Sequence, residues 1–274
     1  MGTGSTALED GEVTVSAGDM PWAFGSGEHV CWLVRTRAEY DAGERDLLAR
    51  AAQAGDSVMI VGDRVRTRHH APGSGGDLDV RVGRGGSTVL EVMREQAHTA
   101  DRAGRSLRIL AQMEHLAPPN ARLEELMACE MDVAELAGHG ATSVVCAYQH
   151  STWKRELLTA VSAVHSRLLG TSPDTSGFRI TRTGSGVCAL HGVIGYEAAA
   201  PFGAALRAMV ARGARVRLDC TDLDLIDAAG WHALVGAATS VPGAEVLLEN
   251  ANDTVATAWR LSGYDDATTP VLVH

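Results

Sequence analysis

Length, composition and charge already exclude several classes of protein. The chain has 274 residues, of which 45% are hydrophobic and 21% are charged, so it has enough apolar material for two ordinary cores and is not disordered. The 24 Lys and Arg residues against 34 Asp and Glu residues give a net charge of −10, which argues against binding the phosphate backbone of a nucleic acid.

The chain begins with a polar, acidic stretch, residues 1–21, that we interpret as a flexible leader. It lacks the basic and apolar regions of a targeting signal, and no apolar run approaches the ~18 residues that span a bilayer. We therefore expect a cytoplasmic protein that makes no contact with a membrane.

Residues 22–170 alternate short apolar runs with longer amphipathic stretches, which predicts a mostly parallel sheet with helices on both faces. The predicted strands are 29–34, 57–61, 78–82, 107–112 and 143–148. The predicted helices are 39–54, 87–103, 120–136 and 153–169. The Arg-, His- and Pro-rich stretch 64–76 is predicted to be a loop or a degraded element.

Residues 171–176 combine Pro, Asp and Ser without apolar periodicity and predict a linker to a smaller α/β domain, residues 177–274. Its predicted strands are 178–181 and 187–191, paired around Gly184-Ser185-Gly186, followed by 215–220, 245–249 and one near Val271. Its predicted helices are 196–212, 228–238 and 254–261.

Motifs for catalysis are weak in this sequence. Gly83 to Thr88 follows a predicted strand and precedes a helix, but no lysine follows the glycines, so a tight turn is favoured over a nucleotide loop. There is no GxSxG or HExxH motif, and the five cysteines form no CxxC pair. We therefore predict no catalytic residues, no metal site, no cofactor and a non-enzymatic role, and leave a nucleotide-binding enzyme as an alternative.

Histidines offer a second alternative. His29, His115, His150 and His165 lie at the ends of predicted elements, where a parallel sheet would gather its carboxyl edge. A metal, haem or thiol redox sensor built from such histidines with Cys31 and Cys146 stays open beside simple packing or capping roles.

The acidic segment Asp219 to Gly230 points to a docking surface. Asp227 is placed to cap the helix that follows it, and Ala228, Ala229 and Gly230 are small enough for another backbone to approach closely. Asp222 and Asp224 lie just before this helix start. A plain helix cap with a loop remains the alternative interpretation.

The C-terminal hundred residues resemble a STAS domain, the module of anti-sigma factor antagonists. The resemblance rests on the stretches Val187–Gly192, Val216–Ile226, Asp227–Gly230 and Ala258–Asp265. It implies docking on an anti-sigma factor of the ATPase-kinase type, which in this family phosphorylates a serine after the aspartate. Here that position is Ala228, so the usual phosphorylation switch is absent.

Residues 22–170 resemble the MEDS domain, the sensory domain of methanogen and methylotroph regulators, which is similar to RecA/KaiC-type cores without a working phosphate loop. The matching residues are His29-Val30-Cys31, Glu39-Tyr40, Ala54-Gly55-Asp56, Glu130, Cys146-Ala147-Tyr148 and His165. Where the family commonly reads GEMSW, this chain has Ala111 to His115, and Gln112 replaces the acid, which disfavours ATP turnover.

Together the two resemblances imply a bacterial signalling regulator of transcription, acting on sigma factors, in which a sensory domain controls a partner-binding STAS domain. The partner would be an anti-sigma factor or another STAS protein, a small molecule would be the input, and an oligomer is compatible with this role. The residues implied for a sensory pocket at the sheet edge are His29, Cys31, Gln112, Glu130, Cys146, Tyr148 and His165. Core packing is the alternative for each of them.

Overall fold

The computed structural model describes residues 25–63, 65–68, 78–80, 86–171, 176–183, 186–213, 215–265 and 269–273. The predicted leader, His69-His70, the start of the glycine stretch at Gly83 and most of the predicted linker lie outside these residues.

A seven-stranded sheet forms the centre of the first domain. Its strands are β1 (His29–Val34), β2 (Ser57–Val61), β3 (Val65–Arg68), β4 (Leu78–Val80), β5 (Leu107–Gln112), β6 (Thr142–Gln149) and β7 (Arg167–Leu169). They lie in the order β4-β3-β2-β5-β6-β1-β7, and the five strands from β2 to β7 in this order are parallel. The strand order therefore reverses direction between β1 and β6. At such a reversal, a crevice opens at the carboxyl edge of the sheet.

Four helices cover this sheet, α1 (Arg37–Ala54), α2 (Gly86–Arg102), α3 (Leu123–Ala137) and α4 (Arg155–Ser162). Alternate residues of β1 face opposite sides: Trp32 packs with Leu47 of α1, whereas Cys31 and Leu33 pack with residues of α2, α3 and α4. Helices on both faces of a mostly parallel sheet confirm the predicted fold class.

Local chemistry fixes the ends of α1. The Thr36 hydroxyl accepts a hydrogen bond from the backbone N–H of Glu39, and the Glu39 carboxylate accepts one from the backbone N–H of Arg35. This reciprocal pair satisfies two free donors at the helix start. Gly55 ends the helix with φ 74°, a conformation that glycine adopts without strain.

Two predictions for this domain are wrong. Val65–Arg68, within the predicted loop, forms β3 and pairs antiparallel with β2. The predicted helix 153–169 ends at Ser162, and Arg167–Leu169 instead joins the sheet beside β1. Both errors have the same reason, because backbone pairing with a distant strand outweighed the local pattern.

A second sheet has six strands, β8 (Phe178–Arg182), β9 (Cys188–Ile194), β10 (Arg215–Asp219), β11 (Leu223–Ile226), β12 (Glu245–Glu249) and β13 (Val271–Val273). Its order is β11-β9-β10-β12-β13, with β8 antiparallel to β9 as predicted. The helices are α5 (Tyr196–Val210), α6 (Ala228–Ala238) and α7 (Asp253–Leu261). One segment differs from prediction: Leu223–Ile226, read from its acidic residues as a loop, pairs in parallel with β9.

The two domains are in direct contact. Helix α3 packs against α5, where Arg212 pairs with Asp132 at 3.0 Å and donates to the backbone carbonyl of Ala128 at 2.5 Å. The backbone N–H of Ile180 in β8 donates to the carbonyl of Ala163, just after α4, at 2.7 Å. Apolar residues of both domains form one continuous buried cluster. Structural change in α3 or after α4 therefore has a direct path to the second domain.

Among the described residues, no helix combines the length and the apolar character that crossing a bilayer requires.

Candidate functional site

A cavity of about 150 Å³ lies at the carboxyl edge of the first sheet, at the point where the strand order reverses. Its lining comes from the ends of β1, β5 and β6 and the start of α1, and includes Arg37, Tyr40, Gln112, Glu114 and His115. Open α/β sheets bind ligands at this place. Of these five residues, only Gln112 and His115 were predicted as candidate site residues, and Tyr40 was named for the family resemblance. The short link between β1 and α1 was the signal available for Arg37 and Tyr40.

A separate cluster of four polar side chains lies inside the domain, beneath α3. The Glu130 Oε2 atom is 3.1 Å from His29 Nε2 and 3.2 Å from His165 Nε2. The Cys146 Sγ atom is 3.3 Å from His29 Nε2 and 3.7 Å from Glu130 Oε2. The two imidazole rings lie 3.9 Å apart between centroids. We call these four residues the buried polar cluster.

Secondary structure explains how the cluster forms. His29 begins β1, and its side chain shares a face with Cys146 of β6, because His29 is paired with Val144 two residues earlier. Glu130 occupies a position in α3 that is apolar by periodicity, between Met127 and Val133. A carboxylate at such a position is the sequence signal for a buried acid.

Burial sets the electrostatics of the cluster, since its members are between 0% and 6% exposed. Burial, reinforced by the neighbouring His165, lowers the pKa of His29 to about 4. Burial alone would raise the pKa of Glu130, but the attraction of His165 and hydrogen bonds from both histidines lower it to about 2. Burial also raises the pKa of the Cys146 thiol. Glu130 is therefore a carboxylate anion held inside the protein.

The seven residues predicted to share a sensory pocket do not lie together. Gln112 lines the carboxyl-edge cavity, while His29, Glu130, Cys146 and His165 form the buried polar cluster. Cys31 lies beside Cys146 in the sheet, and Tyr148 packs edge-to-face against Trp153 in the core.

The four histidines predicted for the carboxyl edge also separate. His115 lines the cavity there, and His150 follows β6. The prediction is wrong for His29, which begins its strand, and for His165, which lies between α4 and β7 rather than in a helix. For His165 the error follows from the early end of α4, which turns the chain back along the sheet. His29 is the first residue of β1, as predicted, so it lies at the amino edge of the sheet.

In the second domain, the helix start predicted for docking divides into buried and exposed parts. The Asp227 carboxylate accepts a hydrogen bond from the backbone N–H of Gly230 at 2.9 Å, as expected of a cap. Gly230 is buried against Ile194 and Ile226, so its small size serves packing within the domain. Ala228 is exposed and Ala229 is half-buried, and the first domain leaves Ala228 uncovered.

Two large apolar side chains lie exposed beside Ala228 and were not predicted. Val193 is 41% exposed and Tyr196, at the start of α5, is 83% exposed. They neighbour the helix start because β9 pairs with β11 and the backbone N–H of Asp227 donates to the carbonyl of Ile194. Asp224 is exposed on the edge strand β11, and Asp222, just before this strand, is exposed as well. We call Val193, Tyr196, Asp222, Asp224 and Ala228 the helix-start surface.

A cavity of about 200 Å³ opens at the junction of the domains, lined by Met131 and Val164 of the first and by several arginines of the second. Three of those arginines form ion pairs: Arg212 with Asp132, Arg215 with Glu245 and Arg217 with Glu249. Most of the positive charge around this cavity therefore already faces a carboxylate of the protein.

The structure thus comprises two α/β domains, with a cavity at the carboxyl edge of one sheet and an exposed helix start in the other domain. The model of the MEDS domain, the methanogen/methylotroph, DcmR sensory domain, matches residues 28–166, which is just over half of the chain. The chain therefore belongs to the MEDS family. The model of the Mlab, STAS domain matches residues 178–274, so a STAS-type domain follows, and this pairing indicates a signalling or regulatory role. No curated protein and no solved structure matches the chain.

Proposed function

We propose that the chain is a non-enzymatic signalling regulator in which the first domain receives an input and the helix-start surface docks a protein. The partner is an anti-sigma factor of the ATPase-kinase type or another STAS protein. The observation that carries this proposal is the exposure of Tyr196, at 83%, and Val193, at 41%, beside Ala228. Exposed apolar and aromatic side chains with polar residues around them are typical of a protein interface.

Regulation in this proposal does not use phosphorylation of the helix start, because Ala228 and Ala229 carry no hydroxyl group. A phosphate there would add close to two negative charges to the acidic surface. The input instead enters through the first domain, and the carboxyl-edge cavity is the place for a small ligand. The contact between α3 and α5 connects the first domain directly to the second, so a change in the first domain can reach the second through it.

The non-enzymatic part of the proposal rests on the connection between β1 and α1. Only Arg35 and Thr36 link these elements, too few residues for a loop that wraps a phosphate group. The single lysine of the chain, Lys154, precedes α4 instead. Incubation of the purified chain with ATP and Mg²⁺ should release no phosphate above the buffer background. Phosphate release by wild type that is absent from a Gln112→Ala variant would contradict the non-enzymatic role.

The docking proposal is tested by affinity capture from the source cell with the full chain as bait. We expect wild type to retain an anti-sigma ATPase or a STAS protein, identified by mass spectrometry, and Ala228→Glu to lose it. Tyr196→Ser should retain less of the same partner. Neither change removes the Asp227 cap, so both variants should stay folded.

Ala38→Glu is the matched control, because Ala38 is also an exposed alanine in the first turn of a helix, α1. It should retain the partner as wild type does. Equal capture by all four baits, or no capture of either partner class by wild type, would contradict the helix-start surface.

A further inference from the structure

The buried polar cluster brings together four side chains of the types that ligate transition metals. His29, Glu130, Cys146 and His165 come from four separate elements, yet one ligand atom from each lies within 4.8 Å of all the others. Two imidazoles, a thiol and a carboxylate are the donors found in four-coordinate zinc sites. The spacing in sequence does not reveal this set, because its members are up to 136 positions apart.

The distances within the cluster fit a tetrahedral ion. Ligand bonds of about 2.0–2.3 Å in a tetrahedron place the ligand atoms roughly 3.3–3.8 Å from each other. Four of the six distances between these atoms are 3.1, 3.2, 3.3 and 3.7 Å, and the two others, from His165 to His29 and to Cys146, are within 4.8 Å. Small adjustments of side chains would therefore admit an ion at the centre of the cluster.

Hydrogen bonding fixes the orientation of His165. Its Nδ1 atom lies 2.7 Å from the backbone carbonyl oxygen of Val161. Because a carbonyl oxygen only accepts, Nδ1 donates this hydrogen bond, so Nε2, which faces Glu130 Oε2 at 3.2 Å, is the ring nitrogen available to a metal ion. Metal-binding histidines are held in this way by a hydrogen bond from the other ring nitrogen.

Glu130 supplies a negative charge and a carboxylate oxygen, Oε1, that has no hydrogen-bond partner among the described residues. Its side chain is 0% exposed, and no group in the described part of the chain donates a hydrogen bond to Oε1. The ion pairs of Glu130 among the described residues are both with the histidines of the cluster. A buried carboxylate with one free oxygen is suited to a cation, since desolvation of the anion is otherwise costly.

We propose that His29, Glu130, Cys146 and His165 bind one zinc ion, or a divalent ion of similar softness, in a closed tetrahedral site. The mixture of sulfur, nitrogen and oxygen donors favours Zn²⁺ over Mg²⁺ or Ca²⁺, which prefer oxygen alone. Four protein ligands and complete burial leave no open position, so the ion is structural. On binding, the Cys146 thiol releases its proton to solvent and Sγ coordinates as a thiolate.

Such an ion would join α3 and the segment after α4 to the sheet. These are the two places that contact the second domain, through Asp132 with Arg212 and through Ala163 with Ile180. Metal occupancy would therefore strengthen the elements on which the STAS-type domain rests. The site stands independently of the docking proposal, because none of its ligands belongs to the helix-start surface.

The test uses the purified full chain, stripped with a chelator, equilibrated with excess Zn²⁺ and freed of unbound ion. Elemental analysis should find about one zinc ion per chain in wild type, and Cys146→Ser and His165→Gln should bind at least about ten-fold more weakly. With Co²⁺ as the probe, wild type should show a thiolate-to-cobalt charge-transfer band that Cys146→Ser lacks. Zinc should also raise the melting temperature of wild type but not of Cys146→Ser.

Cys220→Ser and His150→Gln are the matched controls, since Cys220 is another buried free cysteine and His150 lies outside the cluster. Both should bind like wild type. Less than about one ion per ten wild-type chains, or wild-type stoichiometry in both cluster variants, would overturn the proposal. If a cluster variant fails to fold, the zinc content and the cobalt spectrum of wild type decide alone, and absence of the thiolate band overturns the site.

Discussion

The two domains are built alike, each a largely parallel sheet with packed helices, but they place their chemically capable side chains differently. In the first domain, Glu130 and two histidines lie beneath α3 with no more than 6% exposure. In the second domain, Asp222, Asp224 and Ala228 face solvent, with Tyr196 beside them at 83% exposure. Burial makes the first set sensitive to any loss of a partner, whereas the second set is free to contact another molecule.

The largest expected effect comes from removing the buried charge. Glu130→Ala, measured on chelator-treated protein by urea denaturation, should lower the free energy of unfolding by about 3–5 kcal/mol, because it leaves the buried histidines without their anion. Glu135→Ala on the same helix should stay within about 0.5 kcal/mol of wild type, since Glu135 is half-buried at the surface. Similar losses of unfolding free energy in the two variants would contradict the expectation that the buried acid contributes more to stability than the surface acid.

Two glycines of α6 sharpen the comparison within a single helix. A Cβ atom at Gly230 would lie 2.8 Å from the backbone oxygen of Ile194, whereas nothing lies within 4 Å of a Cβ atom at Gly236. Gly230→Ala should therefore cost about 1–3 kcal/mol, and Gly236→Ala should gain about 0.5–1 kcal/mol through helix propensity. Thermal denaturation of both variants checks the opposite signs, and a harmless Gly230→Ala would contradict the close packing at the helix start.

The contact between the domains should contribute less. Arg212→Ala removes the ion pair with Asp132 and the bond to the Ala128 carbonyl, and should destabilise the full chain by about 1–2 kcal/mol. The control is Arg260→Ala, because Arg260 bonds only within α7 in the described contacts and should cost under about 0.5 kcal/mol. Equal melting temperatures for the two variants would show that the junction carries no stability.

The smallest expected effect concerns a surface acid of the second domain. Hydrogen bonds from Asn250 and Thr221 lower the pKa of Asp219 below its ordinary value of 3.8. Asn250→Gly keeps the left-handed backbone, at φ 59°, but removes the amide donor, so the pKa of Asp219 should rise.

A carboxyl group whose pKa is lower in the folded state stabilises the fold at pH values above its unfolded-state pKa. Wild type should therefore be more stable than Asn250→Gly at neutral pH. This difference should disappear as the pH falls through the folded pKa of Asp219. A carboxyl NMR titration measures the shift, and Thr254→Ala, outside these hydrogen bonds, serves as the control. An unchanged pKa in Asn250→Gly would assign the depression to Thr221 alone.

Much of the fold follows from the sequence, since β1, β2 and β5 and the helix α6 have the predicted bounds. Continuous apolar runs and the Asp227 cap are local signals that the fold retains. The polar strand Val65–Arg68 and the acidic strand Leu223–Ile226 were missed because each exists through pairing with a neighbour, β2 and β9 respectively. Their side chains alone do not distinguish them from loops.

For the sites, the sequence by itself determined the residue types and the helix start, because a cap and small residues leave a local pattern. Only the tertiary structure decided which predicted residues meet. It separated Gln112 from His29 and brought Glu130 of α3 to Cys146 and His165, between α3 and the sheet. It also placed Tyr196 beside Ala228 through the pairing of β9 with β11. Such contacts join residues far apart in the chain, and they form only when hydrophobic burial and strand pairing bring whole elements together.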